Sequence, residues 1–194
     1  MLFVVSVPVQ LLVAAVLYWR LGWPVMFRQT RAGKDGRIIV LSKFRTMTDA
    51  RDASGTLLPD DLRQTPLTRL IRRLRLDELP QLIAVLRGQM ALVGPRPLLP
   101  GTVAGFGGLG VLRNSVRPGL TGWAQVSGNT RLTDEEKLAL DLWYVAHRDL
   151  ALDLRILAET VLVPIRGEIR REPRLRSAQR WQSMCLGQDR AVTA

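Results

Sequence analysis

The 194-residue sequence predicts an α+β protein that is mainly helical, carries an N-terminal membrane helix and contains one small β element. Three observations predict this class. Met1 to Trp19 contains no charged residue, and as a helix it would extend about 28 Å, close to the roughly 30 Å hydrocarbon core of a bilayer. Leu67, Leu70, Ile71 and Leu74 recur at helical spacing, with Arg69, Arg72, Arg73 and Arg75 between them, which is the pattern of a basic amphipathic helix. The turn-forming run Gly33-Lys34-Asp35-Gly36 precedes the β-rich stretch Arg37 to Leu41, so a hairpin-like element is expected.

The length suits one domain with a real core plus appendages. A formal charge of +11 is carried almost wholly by arginine, since Lys34, Lys43 and Lys137 are the only lysines. Such a surface attracts phosphate-rich partners, and nucleic acid, anionic lipid and nucleotide all qualify. Cys185 is the only cysteine and His147 the only histidine, which excludes an internal disulfide and a zinc site of the Cys/His type. Any metal would be a hard one held by oxygen.

Along the chain, the apolar N-terminal run has no basic stretch before it and no small-residue cleavage site after it, which argues for a retained segment rather than a secretory signal. Tyr18, Trp19 and Trp23 sit where amphipathic rings settle at a membrane surface, and Arg20, Arg28 and Arg31 follow on the cytoplasmic side. Pro8 removes one helical hydrogen bond, and Ser6 supplies a hydroxyl for the freed carbonyl. From these residues alone, a kinked spanning helix and a helix that bends inside the leaflet are both open. Residues 48–64 read as a polar loop. The basic helix around Leu67 to Leu74 either packs its stripe into the core or lies in the headgroup plane.

A short helix is expected over 80–86, and a mobile glycine-rich stretch from Thr102 to Leu112. Arg117 to Trp123 reads as a rigid turn offering backbone amides beside an arginine. Thr133 caps a helix from Asp134 to Ala146, and a second apolar helix runs from Leu152 to Ile165, ending near Pro164. From Arg166 onward the arginine-rich sequence predicts a surface helix or a disordered tail. The expected organisation is thus a membrane-inserted helix over 1–23, a main domain over 24–165 and a basic C-terminal tail over 166–194.

Asp77-Glu78 is the pair most suggestive of chemistry. Adjacent carboxylates repel, and their placement beside arginines suits a metal, a proton or an electrophilic phosphorus. The competing reading is structural, with Asp77 capping the helix through Leu86 and Pro80 in its first turn.

Five motifs stand in order: Lys43-Phe44-Arg45-Thr46-Met47, Leu76-Asp77-Glu78-Leu79-Pro80, Val85-Leu86-Arg87-Gly88, Val93-Gly94-Pro95-Arg96-Pro97 and Pro118-Gly119-Leu120-Thr121-Gly122-Trp123-Ala124-Gln125-Val126. With them the chain resembles, over about residues 5–165, the bacterial sugar transferase family, and within it the small monotopic polyprenyl-phosphate phosphoglycosyl transferases. The resemblance implies a monotopic protein with a re-entrant helix broken at Pro8, assisted by Ser6, and with interfacial amphipathic helices. It implies residence at the cytoplasmic face of the bacterial inner membrane. Asp77 would be the nucleophile, with Glu78 assisting as metal ligand or proton acceptor, and the two together would hold Mg²⁺. Lys43, Arg72 and Arg96 would bind phosphate oxygens, Arg96 between two prolines that restrict its backbone. The partners implied are a UDP-sugar, polyprenyl phosphate, anionic membrane lipid, downstream glycosyltransferases and a second copy of the chain, without nucleic acid.

Three departures from the family pattern stand out. Only seven residues precede Pro8, where the family has a longer arm with a basic residue and an aspartate. Val7-Pro8 replaces a Ser-Pro pair, which moves the hydroxyl to Ser6. Gly128-Asn129 stands where a phosphate-meeting Gly-Arg pair is usual, and Arg131 is the substitute within reach. The rival classes are a basic nucleic-acid-binding module, which leaves the uncharged N-terminus unexplained, and a membrane-anchored interaction protein without activity.

Overall fold

The computed structural model describes the backbone from Leu2 to Val192, and these residues are mainly helical with two small sheets. The chain divides into two compact units, one running through Gln29 and from Val40 to Leu86, the other comprising Thr30–Ile39 and the chain from Arg87 onward. By packing, the division falls within the hairpin and after Leu86.

The first unit begins with helix α1, Leu2–Leu21, which is continuous through Pro8. Pro8, where a break is expected, lies inside this helix. A proline removes one N–H from the ladder, and here polar side chains bridge the neighbouring turns: Ser6 Oγ donates to the Phe3 carbonyl at 2.7 Å, and Gln10 Nε2 donates to Ser6 Oγ at 2.8 Å. Val13 and Leu17 of α1 are buried in a cluster with Val25, Phe44 and Ile71. Val4, Val5, Leu11, Leu12, Tyr18 and Trp19 stand exposed. Burial of Val13 and Leu17 fixes one face of the helix, while the apolar remainder is left uncovered.

Strands β1, Met26–Ala32, and β2, Ile38–Phe44, form a two-stranded sheet as expected. In their turn, Asp35 and Gly36 adopt φ of 55° and 75°, conformations that Asp and Gly tolerate best. Residues 48–64 are mostly loop, pinned where Thr48 and Arg63 exchange hydrogen bonds and where Asp52 accepts from Ser54 and Thr56. Helix α2, Pro66–Arg73, opens on a capping box between Thr65 and Thr68 with proline in its first turn. Its Ile71 enters the core, whereas Leu70 and Leu74 are exposed among arginines. A 3-10 helix, Leu76–Gln81, and helix α3, Leu82–Leu86, complete the unit.

In the second unit, β3, Ala91–Val93, pairs in parallel with β4, Gly119–Thr121, setting Ala91 opposite Gly119 and Val93 opposite Thr121. Parallel strands need a crossover. Helices α4, Pro100–Gly105, and α5, Gly108–Arg113, supply it. These helices replace the mobile stretch expected there, and glycine makes them possible: Gly107 turns the chain at φ 56°, and a Cβ on Gly110 would lie 2.2 Å from the Val103 carbonyl oxygen. Likewise, the run from Arg117 to Trp123 is not merely a turn, because it contributes β4 and the start of helix α6, Trp123–Val126.

Helix α7, Asp134–His147, starts on a capping box in which Thr133 and Glu136 satisfy each other's backbone N–H groups. Asp149 caps helix α8, Leu150–Arg166, by accepting from the Leu152 N–H at 2.7 Å. Of the two forms the sequence allows after Arg166, the chain takes the helix, α9, Glu172–Val192, packed along α7. Leu175 and Ala178 are buried in the core with Trp123, Leu140, Tyr144 and Ile156. Arg170 and Arg174 hold this segment through two-pronged pairs with Glu136 and Glu159, at 2.6–2.8 Å.

Candidate active site

Asp77 and Glu78 lie in the first turn of the 3-10 helix, and the local sequence explains why. Arg75, at φ 56°, ends α2 and redirects the chain in a left-handed conformation, a state costly for a side chain with a Cβ and held only by its surroundings. Leu76, directly before the pair, packs on the cluster of Val13, Leu17, Phe44 and Ile71. Pro80 then restricts the backbone beyond it. The pair is thereby fixed between a packed leucine and a proline.

Asp77 is not a helix cap. The residue at the cap position is Arg75, without a side-chain cap hydrogen bond. The structural reading that would explain an ordinary acid here does not apply, and both carboxylates are buried, at 6% and 9% exposure. Burial pushes the Asp77 carboxyl above its usual range, and the neighbouring Glu78 charge adds to that, while Arg72 and Lys43 act against it. Glu78 also lies 3.8 Å from the Arg75 guanidinium.

Each surrounding cation has its own support. Arg72 is in the last turn of α2, one turn before the reversal at Arg75. Lys43 stands on β2 next to buried Phe44, with Nζ 5.4 Å from the centre of the Phe27 ring. Four of the expected site residues, Lys43, Arg72, Asp77 and Glu78, thus belong to one unit and one electrostatic neighbourhood. Ser6 and Pro8 lie in α1 of the same unit, with Ser6 engaged as described above.

Arg96 and Arg131 belong to the other unit. Arg96 is half-buried between Pro95 and Pro97, and its carbonyl accepts from Arg113 Nη2 at 2.6 Å. Arg131 is exposed at the end of a 3-10 turn over Asn129–Arg131, and its carbonyl accepts from Arg170 at 3.1 Å. Asn129 itself adopts φ 47° and donates its side-chain amide to Glu168.

Two residues that sequence reasoning left without a role are prominent in the geometry. Arg45 donates to the carbonyls of Leu21 and Gly22 at 2.5 and 2.9 Å, closing the C-terminus of α1, where oxygens lack helical partners. Lys43-Phe44-Arg45 therefore divides its work between the carboxylate, the core and a helix end. Arg113 is buried at 2% exposure against Asp141. Its only sequence signal is an arginine amid glycines and leucines.

Among the described residues, no group of three or more histidine, cysteine or acidic side chains could cage a metal. Two adjacent buried carboxylates nevertheless offer hard oxygen donors whose mutual repulsion a cation relieves, and this donor set suits Mg²⁺, which retains water and binds substrate phosphates.

The profile of the bacterial sugar transferase family matches residues 1–167. An uncharacterized sugar transferase, EpsL, of Bacillus subtilis (strain 168) is 50% identical over 147 residues, covering 76% of this chain and 73% of that protein. The exopolysaccharide production protein PSS of Rhizobium leguminosarum bv. phaseoli is 39% identical over 176 residues, covering 81% and 86%. The undecaprenyl-phosphate glucose phosphotransferase of Komagataeibacter xylinus is 41% identical over 175 residues, covering 83% of this chain but only 33% of its own length. The chain thus spans most of the first two relatives and about a third of the third.

Proposed function

This chain belongs to the bacterial sugar transferase family, and on that premise we propose that it moves a sugar-1-phosphate from a UDP-sugar to polyprenyl phosphate, releasing UMP. Its place is the cytoplasmic face of the inner membrane, in the first membrane step of glycoconjugate synthesis. The observation that carries the reading is the buried Asp77-Glu78 pair, in which burial raises the pKa of Asp77 and the charges of Arg72 and Lys43 oppose that rise. A carboxylate isolated from water and flanked by cations is a fit nucleophile for a phosphate ester.

In the first displacement, an Asp77 oxygen attacks the phosphorus that bears the sugar. The bond from that phosphorus to the oxygen bridging it to the uridine phosphate breaks, and UMP leaves with the electron pair. A polyprenyl phosphate oxygen then attacks the same phosphorus, and the carboxylate leaves unchanged. Dividing the transfer this way avoids bringing two anionic substrates together in one step. Glu78 assists Asp77, and Lys43 and Arg72 neutralise charge around it. Arg96 carries the phosphate-binding role its motif implies, and Arg131 substitutes for the arginine that Asn129 replaces. Asp77 and Glu78 would hold Mg²⁺, which supplies positive charge against the phosphate.

The exposed apolar surface of α1, with Trp19 and Trp23 at its end, supports embedding in a bilayer beside anionic lipid. Downstream glycosyltransferases and a second copy of the chain are the protein partners proposed. The test is UMP release from a panel of UDP-sugars with Mg²⁺ and polyprenyl phosphate. Release is expected with at least one donor, falling more than about 10³-fold in Asp77→Asn. No release from any donor by the unmodified chain sinks the transferase reading.

A further inference from the structure

We propose that Arg113 is a positioning residue for Arg96, acting through a buried tie to Asp141; this rests on the phosphate-binding role given to Arg96 above. Arg113 closes helix α5, and its guanidinium faces three acceptors on three segments. Nε and Nη2 reach Asp141 Oδ2 on α7 at 2.9 and 2.7 Å, Nη1 reaches Asn114 Oδ1 at 3.1 Å, and Nη2 reaches the Arg96 carbonyl at 2.6 Å. The two charged side chains are 2% and 3% exposed. Asn114 extends the same network, its side chain donating to the Gly33 carbonyl at 3.3 Å and its carbonyl accepting from the Asp35 N–H at 2.7 Å.

Stability alone does not account for this pair. A buried ion pair must offset the desolvation of both charges, and apolar residues of similar volume commonly serve a core as well or better. What an apolar pair cannot do is hold a carbonyl at a fixed point. The carbonyl held is that of Arg96, in a segment already stiffened by Pro95 and Pro97 and by the bonds from Gly94 N–H to the Thr121 carbonyl and from Gly119 N–H to the Pro95 carbonyl, both 2.9 Å. Those bonds fix the loop before Arg96, and Arg113 fixes the peptide after its Cα. The direction of the Arg96 side chain is then set from both sides, which is how a phosphate-binding guanidinium becomes pre-organised.

The experiment replaces the pair as a unit, Arg113→Met with Asp141→Leu, so that no charge is left buried alone. The full-length protein is expected to melt within a few degrees of the unmodified one or higher. Amide exchange across Gly94–Leu99 should speed up about tenfold or more while α7 and α8 stay protected. In UMP release, KM for the UDP-sugar should rise about tenfold with kcat little changed, and adding the pair to Arg96→Gln should cause no further loss, because both act through one group. Unchanged exchange across Gly94–Leu99 in the folded double variant overturns the proposal, as do effects that multiply with Arg96→Gln. Exchange that accelerates in a protein whose unmodified form releases no UMP would support the tie while removing the transferase reading.

Discussion

Asp77 is where function and stability conflict within one side chain. Folding raises its pKa above the ordinary aspartate range through burial and the Glu78 charge, so the folded protein prefers the protonated acid more than the unfolded chain does. The stabilisation this gives is complete below the ordinary value and is lost as pH rises through the raised one. Asp77→Asn, which cannot ionise, should therefore melt higher than the unmodified protein at neutral pH, and the difference should shrink as pH falls toward 4. Thermal denaturation at several pH values measures this. Arg72 acts in the opposite sense, since its charge favours the ionised acid. In Arg72→Gln the acid limb of the kcat/KM profile should move to higher pH, because the proposed attack requires an ionised Asp77. A limb left in place would detach Arg72 from the carboxylate.

At the scale of elements, α1 depends on a residue remote in sequence. The Arg45 guanidinium meets the Leu21 and Gly22 carbonyls and is largely buried, at 15% side-chain exposure. Arg45→Gln should cost about 1.5–3 kcal/mol, the usual worth of hydrogen bonds to a charged group, seen as a lower urea midpoint at unchanged m-value. Helix α7 was legible to within a residue because its Thr133 cap acts locally, and α8 was legible as an apolar helix, though it starts two residues before Leu152, on the Asp149 cap that went unread. Helices α4 and α5 were not legible, since glycines at 107, 108 and 110 lower local helix propensity. What decides there is the close packing of Gly110 on Val103, a tertiary fact. β4 escaped notice for a similar reason, as a three-residue strand is defined by its partner β3 and by the backbone contact between Gly94 and Gly119.

Across the whole molecule, the helical class, the hairpin and the pairing of Asp77 with nearby cations were readable because each rests on local pattern or ordered motifs. The hydrogen bond from Gln10 to Ser6 beside Pro8 was not, since it turns on side-chain rotamers. Nor was the depth to which Arg113 and Asp141 are buried, because charge in a sequence predicts surface unless its partner is known. Beyond the family match over residues 1–167, the proposed function makes one chemical claim, that Asp77 takes up the phosphosugar before the lipid does.

Intact-protein mass spectrometry tests that claim most directly. The protein is incubated with its UDP-sugar and Mg²⁺ in the absence of polyprenyl phosphate, then quenched and weighed. A gain equal to one sugar phosphate, mapped to Asp77, absent from Asp77→Asn and removed on adding polyprenyl phosphate, is the predicted result. UMP release in full assays with no such adduct in quenched single-turnover samples, or an adduct that persists in Asp77→Asn, would contradict it.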